Sequence, residues 1–203
     1  MSSTKRTLET LELVGGSLCL DFVNTVNSRY KLEHDYFASY ADLVDWAGKM
    51  EILSPSQVKS LKQNALKETS RAENVLEKTR NARETLYRVF SAIANGSSPK
   101  EADLNAIARL YQEAIGMGQL VKAEGHFVFD WKPDSALDGF LWQIAASAHS
   151  LLSSKEIQQV KECPGCGWLF LDTSKNRSRR WCSMNTCGAR DKMRRYHGKL
   201  KKK

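Results

Sequence analysis

The sequence predicts a mainly α-helical N-terminal domain with one small β-hairpin element, joined to a C-terminal module built on four cysteines. Three observations carry that prediction. Residues 55–94 hold no glycine and, after Pro55, no proline, while their apolar side chains recur at helical spacing. Glu124-Gly125 stands between two short apolar runs, which is a hairpin signal. Four of the five cysteines fall within residues 163–187. The 203 residues, 41% of them hydrophobic, suffice for a buried core and exclude a disordered tail.

Along the chain, Gly15-Gly16 forms a break ahead of Leu18, Phe22 and Val26, whose spacing of four predicts a helix. The alternation of Leu18, Leu20 and Phe22 is the strand reading of the same stretch. Ser39 is placed to cap a helix bearing Tyr40, Leu43, Val44, Ala47 and Met50, and Ser54-Pro55 supplies a second N-cap with proline at the first helical position. One long helix, or two joined near Thr69-Ser70, is expected over 55–94. Asn95-Gly96-Ser97-Ser98-Pro99 ends that run, and Leu104, Ile107, Ala108, Leu110, Tyr111 and Ile115 mark the next helix. Strands are expected at 120–123 and 126–131, and a last body helix at 135–152, starting from Ser135. Residues 1–152 are thus expected to fold alone as a helical domain, with residues 153–203 as the cysteine module.

Charge divides the chain at the same place. Residues 155–203 hold 14 Lys and Arg against 4 Asp and Glu, a net +10, whereas residues 1–154 net −2. A mildly acidic body with a strongly basic end predicts a polyanionic partner for that end, nucleic acid first. A Lys-rich tail that only aids solubility is the plainer reading. No run approaches the roughly 18 apolar residues of a membrane span, and Met1-Ser-Ser-Thr-Lys5-Arg6 leads into Leu8, Glu9, Leu11 and Glu12 rather than an apolar signal core. A cytoplasmic location is expected, with no membrane contact.

Cys163, Cys166, Cys182 and Cys187 read C-x2-C-x15-C-x4-C, the spacing with which two knuckles bring four thiolates to one tetrahedral zinc. A disulfide framework fits poorly, because the cysteine count is odd and no export signal is present. With no Asp or His replacing a cysteine the site is closed, so the expected cofactor is one structural zinc per chain. Trp168 and Trp181 are expected to pack around the metal. After Cys187-Gly188, residues Ala189, Met193, Tyr196 and Leu200 fall on one helical stripe, expected to pack on the knuckle. Arg190, Arg194 and His197 flank it on one side, and Lys192, Arg195 and Lys199 on the other. Beyond Lys201-Lys202-Lys203 there is no low-complexity segment.

The run Cys163-Pro164-x-Cys166-x-Trp168-x-Phe170-x-Asp172-x-Ser174-x-Asn176-x-x-Arg179-Arg180-Trp181-Cys182-Ser183-Met184-x-x-Cys187-Gly188-x-Arg190 resembles the bacterial CGNR-type zinc finger. Gly15-Gly16-x-Leu18-x-Leu20-Asp21-Phe22-Val23-Asn24-Thr25 is similar to the start of the ABATE domain, which precedes that finger in such proteins. The resemblance covers nearly the whole chain and implies a stress-induced transcription regulator. The asparagine that gives the finger its name falls on Ala189 here. Asparagine can bond adenine bidentately or cap a helix, and alanine does neither. Because position 189 lies on the apolar stripe, a capping or packing role is the one expected for it.

The leading expectation is a DNA-binding transcriptional regulator whose body senses a small-molecule effector or forms a homodimer. Arg179, Arg180, Arg190, Arg194 and Arg195 are the candidate phosphate contacts, some of them paired instead with Asp172 or Asp191. The alternative is a zinc-stabilised module that binds an acidic protein or RNA. Asp21 and Asn24 are expected either to fix helix ends by hydrogen bonds or to line a pocket, and Cys19 to be a buried small hydrophobe. His34, His126 and His149 have no partner at catalytic spacing, and the sequence holds no phosphate loop, no G-x-S-x-G and no H-E-x-x-H. No enzymatic activity is expected.

Overall fold

A computed structural model describes residues 7–31, 33–131 and 136–200. The opening hexapeptide, Ser135 as a helix start and the Lys201–Lys203 run lie outside the described residues, as do the side chains of Lys199 and Leu200. Among the described residues, α1 (Leu18–Val23), α2 (Tyr40–Lys49), α3 (Pro55–Lys67), α4 (Thr69–Ala94) and α5 (Glu101–Met117) lead to the hairpin β1 (Gly118–Lys122) and β2 (Phe127–Trp131). Then come α6 (Phe140–Ser153), a 3-10 turn (Lys155–Gln159), β3 (Val160–Glu162), β4 (Leu169–Leu171), a π turn (Met184–Gly188) and α7 (Ala189–Leu200).

The caps act as their residues dictate. Ser39 with Asp42, and Ser54 with Gln57, each form a reciprocal capping box that satisfies orphan N–H groups at the starts of α2 and α3. The 55–94 run is two helices, broken at Glu68, whose φ of −124 and ψ of 50 leave the helical region. α4 then continues for 26 residues, about 39 Å, and forms the spine against which α1, α2, α3 and α5 pack. At its centre lie Leu86, Val89 and Phe90, with the aromatic set Phe22, Phe37 and Trp46 at centroid separations of 5.6–6.0 Å.

The Gly15-Gly16 break has two separate causes. A Cβ on Gly15 would meet the Asp21 nitrogen at 2.7 Å, and Gly16 takes φ +76 against Leu171. Gly15 donates its N–H to Asp21 at 2.8 Å and accepts the Leu171 N–H at 2.8 Å. α1 itself is helical, as the spacing of four predicts, but stops at Val23, and Val26 pairs with Asp35 in an isolated β-bridge.

β3 and β4 form an antiparallel pair that does not stand apart from the body. Val160, Leu169, Phe170 and Leu171 are buried in the same hydrophobic cluster as α1, α4 and α6. Each such side chain contributes about 1.5–3 kcal/mol by its burial. A fragment ending at residue 152 is therefore expected to keep a helical circular-dichroism spectrum but to melt at least about 10 °C below the full chain. Equal melting temperatures would show that the shared core contributes nothing.

Candidate metal centre and nucleic-acid interface

Two tight turns assemble the cysteines. In the first, Cys163 accepts the N–H of Gly167 at 2.8 Å and that of Cys166 at 3.3 Å, and Gly167 takes φ +74 where a Cβ would strike Arg29 at 2.5 Å. In the second, the π turn brings Cys187 back beside Cys182 and closes with the Gly188 N–H on the Ser183 carbonyl at 3.0 Å. All four sulfurs are buried and lie within 4.8 Å of one another. Cys166 to Cys182 is 3.5 Å and Cys182 to Cys187 is 3.7 Å, far beyond the ~2.05 Å of a disulfide. Four sulfurs at ~2.3 Å from one zinc would sit about 3.8 Å apart, so the cluster fits a single tetrahedral ion. The finger's cofactor is one zinc, in a closed four-sulfur site of the structural kind.

The body holds this centre from beneath. Asn24 is buried and donates its amide to the Leu169 carbonyl at 2.8 Å while accepting the Leu169 N–H at 2.9 Å. Trp168 Nε1 donates to the Val26 carbonyl at 2.7 Å, and the Arg29 N–H donates to the Cys166 carbonyl at 2.7 Å. The Tyr30 hydroxyl reaches the Cys163 carbonyl at 3.3 Å. Glu162, one residue before the first ligand, accepts from Tyr30, Tyr87, Ser91 and Asn95, which binds the finger to α4. Arg29, Tyr30 and Glu162 were not singled out by the sequence, because no local pattern marks a residue whose partner lies 55 to 137 positions away.

Asp21 is buried against the Gly15 N–H, and loss of solvent raises its carboxyl above the ordinary value despite bonds from Gly15 and Val14. Cys19 is buried and its thiol is raised by burial, as a small hydrophobe should be. Trp168 is buried and Trp181 partly so, both against the cluster. His149 stacks on Tyr111 at 3.9 Å and His34 meets Tyr36 edge-on.

The five candidate arginines occupy different settings. Arg179 lies over the Phe170 ring at 4.4 Å and donates to the carbonyls of Trp181 and Cys182, so it braces the loop. Arg180 is exposed over Trp181 at 5.0 Å. Arg190 donates to the Cys187 sulfur at 3.0 Å, while Arg194 and Arg195 pair with Asp191 at 2.6 and 2.8 Å and remain exposed. The loop 173–180 is strapped by buried Asp172, which accepts from Lys161 at 2.6 Å, Ser174 Oγ at 2.6 Å and the Arg179 N–H at 2.9 Å. Arg177, which the sequence reading passed over, sits in this loop at φ +48, and its carbonyl accepts from Lys161.

The apolar stripe of α7 does not pack as expected. Ala189 is exposed, Met193 is 56% and Tyr196 60% accessible, and the residue turned inward is Asp191. The physical reason is orientation and reach: in its first turn α7 sets Asp191 inward and Ala189 toward solvent, and the rest of its about 18 Å runs past the small knuckle. Ala189 also lies inside a continuous helical run from Met184 to Leu200, where it is neither cap nor core.

The fold and site define a helical body carrying a four-cysteine zinc finger. The chain belongs to the ABATE family: the model described as "Putative stress-induced transcription regulator" matches residues 16–155, more than two thirds of the chain. The CGNR zinc finger model matches residues 159–199. Both families are of regulator and zinc-finger type rather than enzymes. No curated protein matches the chain.

Two outcomes follow from this geometry. Cys182→Ser is expected to abolish stoichiometric zinc in elemental analysis and to lower the melting temperature of the whole chain, because the finger shares the body's core. Asp172 is pushed up by burial but held well below the usual carboxylate range by Lys161 and Ser174, so its contribution is full above that range and is lost as the pH falls through the lowered value. Asp172→Asn should cost about 2–3 kcal/mol at neutral pH and remove that acid-sensitive step, with zinc retained. Urea melts at pH 7 and at stepped acidic pH values give the check.

Proposed function

We propose that this protein is a DNA-binding transcriptional regulator, acting in the cytoplasm, in which residues 153–203 bind DNA and residues 1–152 form the sensing body. One zinc held by Cys163, Cys166, Cys182 and Cys187 braces the basic surface and takes no part in chemistry. The observation that carries this reading is the +10 charge of residues 155–203, of which Lys175, Arg177, Arg180, Arg190, Lys192, Arg194 and Arg195 stand exposed on the loop 173–180 and on α7. Among the described residues, no helix is long and apolar enough to cross a membrane.

Arg180, Arg194 and Arg195 are exposed and suited to phosphates, whereas Arg179 and Arg190 position the loop and the metal turn while adding to the local field. Arg177 supports the same reading. It is exposed on the basic loop, although its backbone takes φ +48, in the left-handed region that costs a non-glycine residue. A cleft of about 410 Å³ lies between the N-terminal segment and the knuckle, with Glu12, Asn27 and Arg190 on its walls beside the ligands Cys166, Cys182 and Cys187, so part of it is the metal site itself.

With three to five phosphates contacted, log K against log salt should fall with a slope of about −3 to −4.5 per finger. Arg180→Ala with Arg194→Ala should flatten the slope by about 2 without releasing zinc. Arg177→Gly should weaken duplex binding while leaving stability within about 1 kcal/mol of wild type. Salt titrations of duplex binding, with zinc content and thermal melts in parallel, decide the matter. An unchanged slope removes Arg180 and Arg194 from the interface, and no duplex binding even at low salt overturns the reading in favour of a protein- or RNA-binding module.

A further inference from the structure

β1 and β2 form a sheet of only two strands, whose register sets Gly118 opposite Trp131, Leu120 opposite Phe129 and Lys122 opposite Phe127. Opposed residues share a face, so Trp131, Phe129, Leu120 and Phe127 make one apolar ladder. Its inner end is anchored. Trp131 Nε1 donates to the Ala114 carbonyl at 2.8 Å, its ring packs with Trp142 and Ala145, and it meets Phe129 edge-on at 5.0 Å. Its outer end is uncovered: Phe129 is 37% exposed, Leu120 69% and Phe127 68%. Ile115 and Met117, in the last turn of α5 just ahead of β1, are exposed as well. An isolated two-stranded hairpin is marginally stable in water, and a contiguous apolar patch on a folded chain marks a contact surface.

We propose that this hairpin is a homodimer interface, occupied by the same hairpin of a second copy of the chain, apolar face against apolar face across a two-fold axis. Area supports a like partner. Large side chains bury about 150–250 Å² each, so the exposed fractions of Leu120, Phe127 and Phe129 amount to about 350 Å² per copy, and Ile115 and Met117 just ahead of β1 bring the exposed apolar area to about 500 Å². A standard interface takes about 800 Å² per partner, a little over half of it apolar, which this patch matches when doubled on itself. Charge supports it too. Residues 118–131 carry Lys122 against Glu124 and Asp130, so two hairpins meet without the repulsion that two strongly basic fingers would impose, and a polyanion finds little to bind there. A two-fold contact is self-complementary and closes at two copies. The proposal stands whether or not the finger binds DNA. If it does, the dimer carries two fingers at a fixed separation, as a two-part site requires.

The test uses the zinc-loaded full chain. Sedimentation velocity across the micromolar range should show a monomer–dimer equilibrium, and amide hydrogen exchange of residues 118–131 should slow at least about tenfold from the dilute to the concentrated end. Leu120→Glu with Phe127→Glu places two carboxylates on the apolar face of each copy, and should raise the dimer dissociation constant at least about 100-fold with helical content and zinc unchanged. If that variant loses its helical spectrum, Leu120→Ser with Phe127→Ser takes its place and is read the same way. A wild-type chain that stays monomeric, a dimer that survives the folded double variant, or a dimer whose hairpin amides exchange as in the monomer would each overturn the proposal.

Discussion

The structure turns on a buried amide. Asn24 bonds both the carbonyl and the N–H of Leu169, 145 residues away, and so gives the edge of β4 the partner that a third strand would otherwise supply. A buried backbone pair left open costs about 1–3 kcal/mol per group, so the chain from α1 to the loop after it is committed to β4. Val26, Arg29 and Tyr30 extend that commitment, one carbonyl or N–H at a time, to Trp168, Cys166 and Cys163.

This arrangement makes the zinc centre part of the body's core. The sulfur cluster is packed with the same residues that line α1 and α4, and Glu162 gathers four donors from the loop and from α4 immediately before the first ligand. A change in the body that moves the 24–31 loop must therefore shift the first knuckle, because bonds of 2.7 Å at Trp168 and Cys166 leave little slack.

Charge is distributed on the same principle of local closure and distant openness. The two acidic residues after the first knuckle are buried and each ties cations down: Asp172 holds Lys161 and the loop backbone, and Asp191 holds Arg194 and Arg195. They set the shape of the basic surface without cancelling it, since the guanidinium groups on α7 remain exposed. The 2.6 Å pair between Arg194 and Asp191 spans i to i+3 on one helix, so it orders the arginine at small cost.

The sequence by itself determined the helical body, the caps at Ser39 and Ser54, the hairpin at Glu124-Gly125 and the metal centre, because each rests on residues close together in the chain: a periodicity, an N-cap, a turn pair, or cysteines at knuckle spacing. The family likeness was legible for the same reason, through short motifs at Gly15 and at Cys163. What only the tertiary structure decided was how these pieces bear on one another. The break at Glu68, with no proline or glycine to mark it, settles the 55–94 run as two helices rather than one. The helical stripe on α7 promised a buried face, but burial needs a second surface, and the small knuckle does not extend that far, so Met193 and Tyr196 face solvent. The same limit operates in reverse at Asn24. Its side chain reads in sequence as one polar group among many, and becomes the join between body and finger only when folding brings Leu169 within hydrogen-bonding distance, a long-range pairing for which no local spacing provides a signal.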